Sequence, residues 1–326
     1  MKKIYLLAIL ITVFITGCSV PKVSLFKDTP DPLKEYTLEG AGADKILLIA
    51  VEGMISDKPK KGLFSESPSL VEQIVVQLNK AQKDRQIKAV LFKINSPGGT
   101  ITASDILYHE INSYGAKTGN KVTVCMMDVA ASGAYYISLP AEMIMAHPTT
   151  VTGSIGVISL QPKLKGLMDK VGLAIDVQKT GKYKDMGSPY RESADEEKKL
   201  LQKAMDGFGK RFIDLVQKHR KLSAPALAEV STARIFLAEE ALKTGLIDKV
   251  GYISDAIKET KKLAGLAEDA RVVVYRRAEF PEDNYYNTAT VSGVKLPVAL
   301  VNLELPEIMN ARAGFYYLWP GAIAAD

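Results

Sequence analysis

From residue 45 onward, short and almost unbroken apolar runs alternate with stretches whose apolar residues recur every three to four positions. This alternation restricts the fold more than any other feature of the chain. Ile46–Val51 and Ile87–Ile94 read as buried strands, and Leu70–Ala81 between them, apolar at 70, 71, 74, 75 and 78, reads as one helix face. A helix is expected after Ser96-Pro97-Gly98-Gly99 through about Tyr114, then a strand over Val122–Met127 and a helix over Ala131–Leu139. Met143–Ala146, Ser154–Ser159 and Ala174–Gln178 read as short strands, and Asp195–His219 as a long helix rich in Lys and Glu. Helices over Ala238–Lys243 and Ile253–Leu263 flank a strand-like turn at Gly245–Val250, and Arg271–Tyr275 is the last strand. Such alternation predicts a layered α/β domain with helices covering sheets. Residues 281–326 have scattered Pro and Tyr, an apolar stretch Val291–Val301 and no clear period. They read as an appended segment or interface arm.

The N-terminus follows different rules. Lys2 and Lys3 precede an apolar run, Ile4–Thr16, that ends at Gly17-Cys18. The run is too short to cross ~30 Å of hydrocarbon, but it suits the apolar region of an export signal. Ile15-Thr16-Gly17-Cys18 resembles a bacterial lipobox, which implies cleavage before Cys18 and a lipid on its thiol. Residues 1–17 are therefore expected to be a lipoprotein signal peptide and 18–44 a lipidated tether. A folded domain would then span 45–280 and a C-terminal extension 281–326. Ser19 stands where an Asp would resemble an inner-membrane retention signal, so the expected place is extracytoplasmic, with the outer membrane favoured.

Composition narrows the function by exclusion. The 326 residues are 47% hydrophobic and 24% charged, a globular profile. The formal net charge of +5 is spread along the chain without a dense basic stripe, which argues against a nucleic-acid partner. With Cys18 lipidated, Cys125 alone remains, so stability must come from the core rather than from a disulfide. Three histidines and two cysteines, with no H-E-x-x-H, give no metal-ligand pattern. Phosphate- and dinucleotide-binding glycine motifs are missing, as is G-x-S-x-G. No cofactor is expected. Two S-x-x-K strings, Ser19–Lys22 and Ser24–Lys27, lie in the expected tether, which cannot position a catalytic pair rigidly.

Three segments combine turn-forming residues with reactive ones. In Asn95-Ser96-Pro97-Gly98-Gly99 the glycine pair can turn its N–H groups outward, as an anion site requires. In Asp128–Tyr136 a strand ends at Ser132, which is set among Ala and Gly at a helix start, where free N–H donors gather. Taken alone, Ser132 could equally be a helix cap. The third segment is Val151-Thr152-Gly153-Ser154-Ile155-Gly156-Val157, with Thr180-Gly181-Lys182-Tyr183-Lys184-Asp185 downstream.

Together, NSPGG, AASGAYYIS, TGSIGV and GKYKD stand in the order of the S49 peptidase family, the signal peptide peptidases related to protease IV, and residues 45–265 resemble that family's short form. The resemblance implies a Clp/crotonase-like spiral of ββα units with flanking helices. It also implies Ser132 as nucleophile, Lys184 as general base, Ser154 as the group that hydrogen-bonds the Lys amine, and the N–H groups of Gly99 and Gly133 as the oxyanion hole. Lys179 and Lys182 flank Gly181 but do not fill the position before Asp185.

A serine hydroxyl needs a neighbour to take its proton, and a lysine can do so only when its amine is neutral. Burial favours that form, by as much as ~3–5 pKa units. An apolar wall around Lys184 is therefore expected. Asp185 should point away from it, since adjacent side chains in an extended segment diverge. His147 in a Ser-His-Asp triad is the alternative base; it precedes Pro148 and has no evident carboxylate. The expected activity is that of a membrane-anchored serine endopeptidase acting on peptide substrates such as signal peptides, assembled as a homo-oligomeric ring. The competing expectations are a non-catalytic lipoprotein that binds peptide or acyl ligands on the same fold, and a crotonase-type enzyme, which an export signal disfavours.

Overall fold

Three parallel strands set the architecture: β2 (Lys45–Glu52), β5 (Ile87–Ser96) and β7 (Lys121–Ala131). Their interior residues are buried on both faces, as the unbroken apolar runs require. The computed structural model describes residues 32–61, 66–277, 279–280, 283–287 and 313–322. The expected signal peptide and Cys18 lie outside them. From Leu33 onward the described residues belong to one compact unit.

Around this centre stand β1 (Lys34–Glu39), β8 (Met143–Ala146), β9 (Val151–Gly153), β11 (Ile235–Leu237), β12 (Lys249–Val250) and β13 (Arg271–Arg276). The sheet runs β1-β13-β2-β5-β7-β8-β12, with β9 joining the far end of β7 and β11 joining β9. Only β1·β13 and β11·β9 are antiparallel. A two-residue hairpin, β3 (Lys60–Lys61) with β4 (Glu66–Ser67), stands apart. A second sheet is small and antiparallel, with β14 (Gly314–Leu318) between β6 (Gly98–Thr100) and β10 (Ile158–Leu160).

The helices begin where local chemistry lets them. In α1 (Leu70–Lys83) Ser69 and Glu72 form a reciprocal capping box, and Val71, Ile74, Leu78 and Ala81 make the buried stripe. Thr100 caps α2 (Ile101–Thr118), which Gly119 ends at φ 70°. α3 (Gly133–Ser138) is short and wholly buried, α4 (Lys165–Val171) is mostly exposed, and α5 (Asp195–Arg220) is the long helix. α6 (Ala224–Val230), α7 (Ala238–Thr244) and α8 (Ile253–Leu263) complete the layers. Cys125, in the middle of β7, is fully buried, and desolvation pushes its thiol up to about 12.

Two strand expectations change, and two segments expected outside the body contribute strands to it. Lys34–Glu39, within the expected tether, pairs with β13 as an edge strand. Of the strand expected over Ser154–Ser159 only Ile158 and Ser159 are extended, in β10; β9 has already ended at Gly153, and Ser154 turns the chain with φ 50°. Ala174–Gln178 is no strand: no edge lies beside it to satisfy its backbone, and Ile175 and Val177 face solvent. Finally, Gly314–Leu318, within the expected C-terminal extension, forms β14 between β6 and β10.

Candidate active site

In parallel sheets, ligand sites gather at the carboxyl ends of the strands, and three such ends meet here. β5 ends at Ser96, paired with Ala130 of β7, and β7 ends at Ala131, paired with Gly153 of β9. The residue after each of the last two is a serine with positive φ: Ser132 at 55° and Ser154 at 50°. The N–H of Ser132 donates to Gly153 O at 2.7 Å, so the two serines leave neighbouring strands side by side. Non-glycine residues in such conformations cost about 1–3 kcal/mol each. The surrounding strand pairs hold them there.

Ser132 sits on a strained strand-to-helix turn at the N-terminus of α3, with ψ −115°. Its Oγ is buried and has no hydrogen-bond partner among the described residues, so it does not serve as the helix cap that its position invites. Beside it the Ser96–Gly99 turn is fixed by its own bonds. Asn95 Oδ1 accepts from Val129 N at 3.1 Å, and Ser96 Oγ accepts from Gly98 N at 3.1 Å. The backbone here has no room for side chains. A Cβ on Gly99 would lie 1.9 Å from Ile55 O, and one on Gly133 would lie 2.4 Å from Ser104 Oγ and 3.1 Å from Gly99 N. Gly99, Gly133, Ser132 and Ser154 are thus brought together. A polar group held at a helix N-terminus between close-packed glycine amides is suited to a carbonyl that becomes an oxyanion.

Lys184 is placed differently. It lies in a run of turns between Gly181 and Gly187 and is exposed; its N–H donates to Gly181 O at 3.4 Å, while its amine has no hydrogen-bond or ion-pair partner among the described residues. The expected apolar wall is therefore not supplied by its own chain, and Ser154 Oγ makes no bond to it. Asp185 points elsewhere, as expected, to Arg191 (2.7 Å) and Lys179 (2.5 Å). These two cations hold its carboxyl far below the usual range. Lys182 pairs with Glu196. His147 bonds Thr149 through Nδ1 and packs edge-on against Tyr252, with no carboxylate partner among the described residues.

Residues 161–192 form an arm that closes largely on itself. Leu164 N donates to Pro189 O at 2.7 Å, and Lys163 Nζ donates to Ser188 O and Ser193 Oγ. Arg191 ties Asp185 to the buried Glu197 at the start of α5. Leu167, Val171 and Leu173 on this arm are 61%, 66% and 56% exposed, a run of large apolar side chains without cover.

Sequence reasoning did not single out the aromatic cluster behind the nucleophile. Tyr136 of α3 stacks on Tyr317 of β14 with centroids 5.1 Å apart, and Phe212 of α5 packs on both. The signal was present in Ala134-Tyr135-Tyr136 and in the Tyr-rich tail, but nothing local joined them.

Comparison with known proteins identifies the family. Residues 115–267 match the profile described as Peptidase family S49, and residues 66–152 match the one described as Clp protease. A protein assigned as signal peptide peptidase SppA in Enterococcus faecium is 35% identical over 252 residues, covering 77% of this chain and 73% of that one. A protein assigned as a protease in Methanocaldococcus jannaschii is 32% identical over 269 residues, covering 82% and 85%. The chloroplastic serine protease SPPA of Arabidopsis thaliana is 33% identical over 245 residues, covering 74% of this chain and 36% of that longer protein. The fold is the Clp-protease-like α/β arrangement, and the chain belongs to peptidase family S49 and is a serine peptidase.

Proposed function

We propose that this peptidase cleaves signal peptides and other membrane-associated peptides by a Ser132–Lys184 dyad, and that the dyad is completed between copies of the chain. The observation that carries this reading is the contrast between the two groups. Ser132 Oγ is buried, strained into place and unpartnered, while Lys184 stands exposed on an arm with uncovered apolar side chains. A lysine in water is protonated at neutral pH and cannot act as a base. Docking of the arm on a second copy would remove the amine from water and cover Leu167, Val171 and Leu173 in the same step. A homo-oligomeric ring is the closed form of such head-to-tail contacts.

In the proposed course, Lys184 takes the Ser132 proton as Oγ attacks the peptide carbonyl. The developing oxyanion is met by the N–H groups of Gly99 and Gly133, and Ser154 orients the amine. The peptide C–N bond then breaks, and the proton passes to the leaving amine. Water, deprotonated by Lys184, hydrolyses the acyl-enzyme. The E. faecium relative's name supports the substrate class. Membrane anchoring by a lipid on Cys18, facing an extracytoplasmic compartment, rests on the lipobox-like sequence. Among the described residues no helix is long and apolar enough to cross a membrane.

Mixed-subunit complementation tests the dyad. Ser132→Ala and Lys184→Ala should each be inactive, and dissociating and reassembling them together should restore a fraction of wild-type activity. Full peptidase activity in Lys184→Ala alone would remove the lysine from the mechanism. Lack of recovery in a mixture proven to co-assemble would remove the shared site. Intact-mass measurement of the protein purified from membranes should show acyl chains on Cys18, and an unmodified Cys18 would refute the anchor.

A further inference from the structure

Just before the nucleophile, β7 carries more chain than the strand beside it. β5 and β7 pair Ile94 with Met126 and next Ser96 with Ala130, so β5 advances two residues where β7 advances four. A bulge of this kind takes main-chain groups out of the ladder, and side chains from both neighbouring strands meet them. On one side Thr150, fully buried, donates its Oγ1 to Met126 O at 3.0 Å. On the other, Asn95 Oδ1 accepts from Val129 N at 3.1 Å while Asn95 Nδ2 donates to Asp128 Oδ2 at 3.2 Å. An amide suits this place because it joins an acceptor to a donor on one short side chain. A carboxylate there would have no proton to give. It would also stand between Asp128 and Glu52, which is the Cα partner of Asn95 on β2.

The bulge matters because the reacting groups lie immediately beyond it. Counted from the Ser96–Ala130 pair, Gly98 is two residues further along one strand and Ser132 two residues further along the other. The turns they enter nearly touch, since a Cβ on Gly98 would lie 2.7 Å from Gly133 N and one on Gly133 would lie 3.1 Å from Gly99 N. Side chains alternate along a strand, so a slip of one residue at the bulge would turn the end of β7 over, side chain for side chain. The two Asn95 bonds fix Asp128 and Val129 as the residues held there, and with them the register of everything downstream to Ser132.

We propose that Asn95 is a positioning residue of the peptidase, whose paired bonds to Asp128 and Val129 set the register that brings Ser132 level with the N–H groups of Gly99 and Gly133. It acts through the strand end and not on the reacting atoms. This deepens the serine-peptidase reading and rests on Ser132 being the nucleophile.

Exchanging the pair in the full-length protein tests it, with fluorophosphonate labelling of Ser132 resolved into a maximal rate and a half-saturating probe concentration, and thermal melts to confirm folding. Asn95→Asp should lower the maximal rate about tenfold or more and leave the half-saturating concentration within about twofold of wild type. Asn95→Asp combined with Asp128→Asn restores an acceptor and a donor in exchanged places, and should label about fivefold faster than Asn95→Asp alone. Asp128→Ala removes one bond and spares the other, and should slow labelling about threefold. A folded Asn95→Asp with the wild-type maximal rate overturns the proposal, as does an exchange that recovers nothing. A raised half-saturating concentration at an unchanged maximal rate overturns it too, because that is the signature of a probe-binding residue. If Asn95→Asp does not fold, Asp128→Ala decides, and wild-type labelling there overturns the proposal. Wild-type protein labelled at a residue other than Ser132 overturns the nucleophile and this inference together, whereas Ser132 labelled equally in every variant overturns the positioning role alone.

Discussion

The two halves of the proposed dyad sit in contrasting surroundings. Ser132 is held by three strand ends, a buried helix and glycines that admit no side chain. Lys184 sits on an arm whose bonds are mostly to itself and whose apolar side chains face water. One group is fixed by folding, whereas the other is offered to something outside the fold. The contrast teaches that folding alone does not bring the two groups of the proposed dyad together, and on the proposed reading assembly would be the step that does.

The largest expected effects break the contrast at its chemical centre. Ser132→Ala should lower peptidase kcat by about 10⁴-fold or more and abolish fluorophosphonate labelling. Its melting temperature should not fall, because the lost hydroxyl has no partner. Ser132→Gly should be equally inactive yet more stable, by about 1 kcal/mol in denaturant titration, since glycine relieves the positive φ. A loss of stability in Ser132→Gly would show that the turn is not strained.

Steric changes come next, and the two regions should answer oppositely. Gly99→Ala sets a Cβ against Ile55 O and should prevent soluble expression of native protein. Gly166→Ala, within α4 on the arm, meets nothing within 4 Å and should raise stability by about 0.5–1 kcal/mol. Both are read by thermal melts and yield of folded protein. Similar destabilisation by the two would erase the distinction between packed site and loose arm.

The smallest effect is that of acid. Arg191 and Lys179 lower the Asp185 carboxyl, and Arg191 with the Ala194 N–H lowers that of Glu197. Groups with depressed folded-state values stabilise above their unfolded values of about 4 and lose that contribution as pH falls through the folded ones. The arm should therefore loosen below about pH 4, seen as faster hydrogen exchange at 161–192, while β5 and β7 keep their protection. Arg191→Ala should bring the same loosening at neutral pH and raise KM or weaken assembly without touching the Ser132 turn.

Much of the sheet was legible because a strand covered on both faces leaves a run that few other structures explain, as in Ile87–Ile94. The turns at Gly99 and at Ser132-Gly133 were legible because tight turns at strand ends need small residues, whereas Ser154 read as the start of a strand and its turn was not legible. Other parts depended on partners far away in the chain. Ile175 and Val177 alternate like a strand, but no edge receives them. Gly314–Leu318 has the same local look and does find two edges, β6 and β10. The setting of Lys184 was illegible for a related reason, since an amine's surroundings are not written in its neighbours along the chain.

The buried sulfur of β7 has a practical corollary. A thiol whose ionisation is pushed up to about 12 and which is closed to solvent is inert toward alkylating reagents and peroxide at neutral pH. Cys125 is the only cysteine among the described residues. A cysteine placed on the arm would then be the sole reactive handle among the described residues, where a maleimide dye could test whether the arm docks.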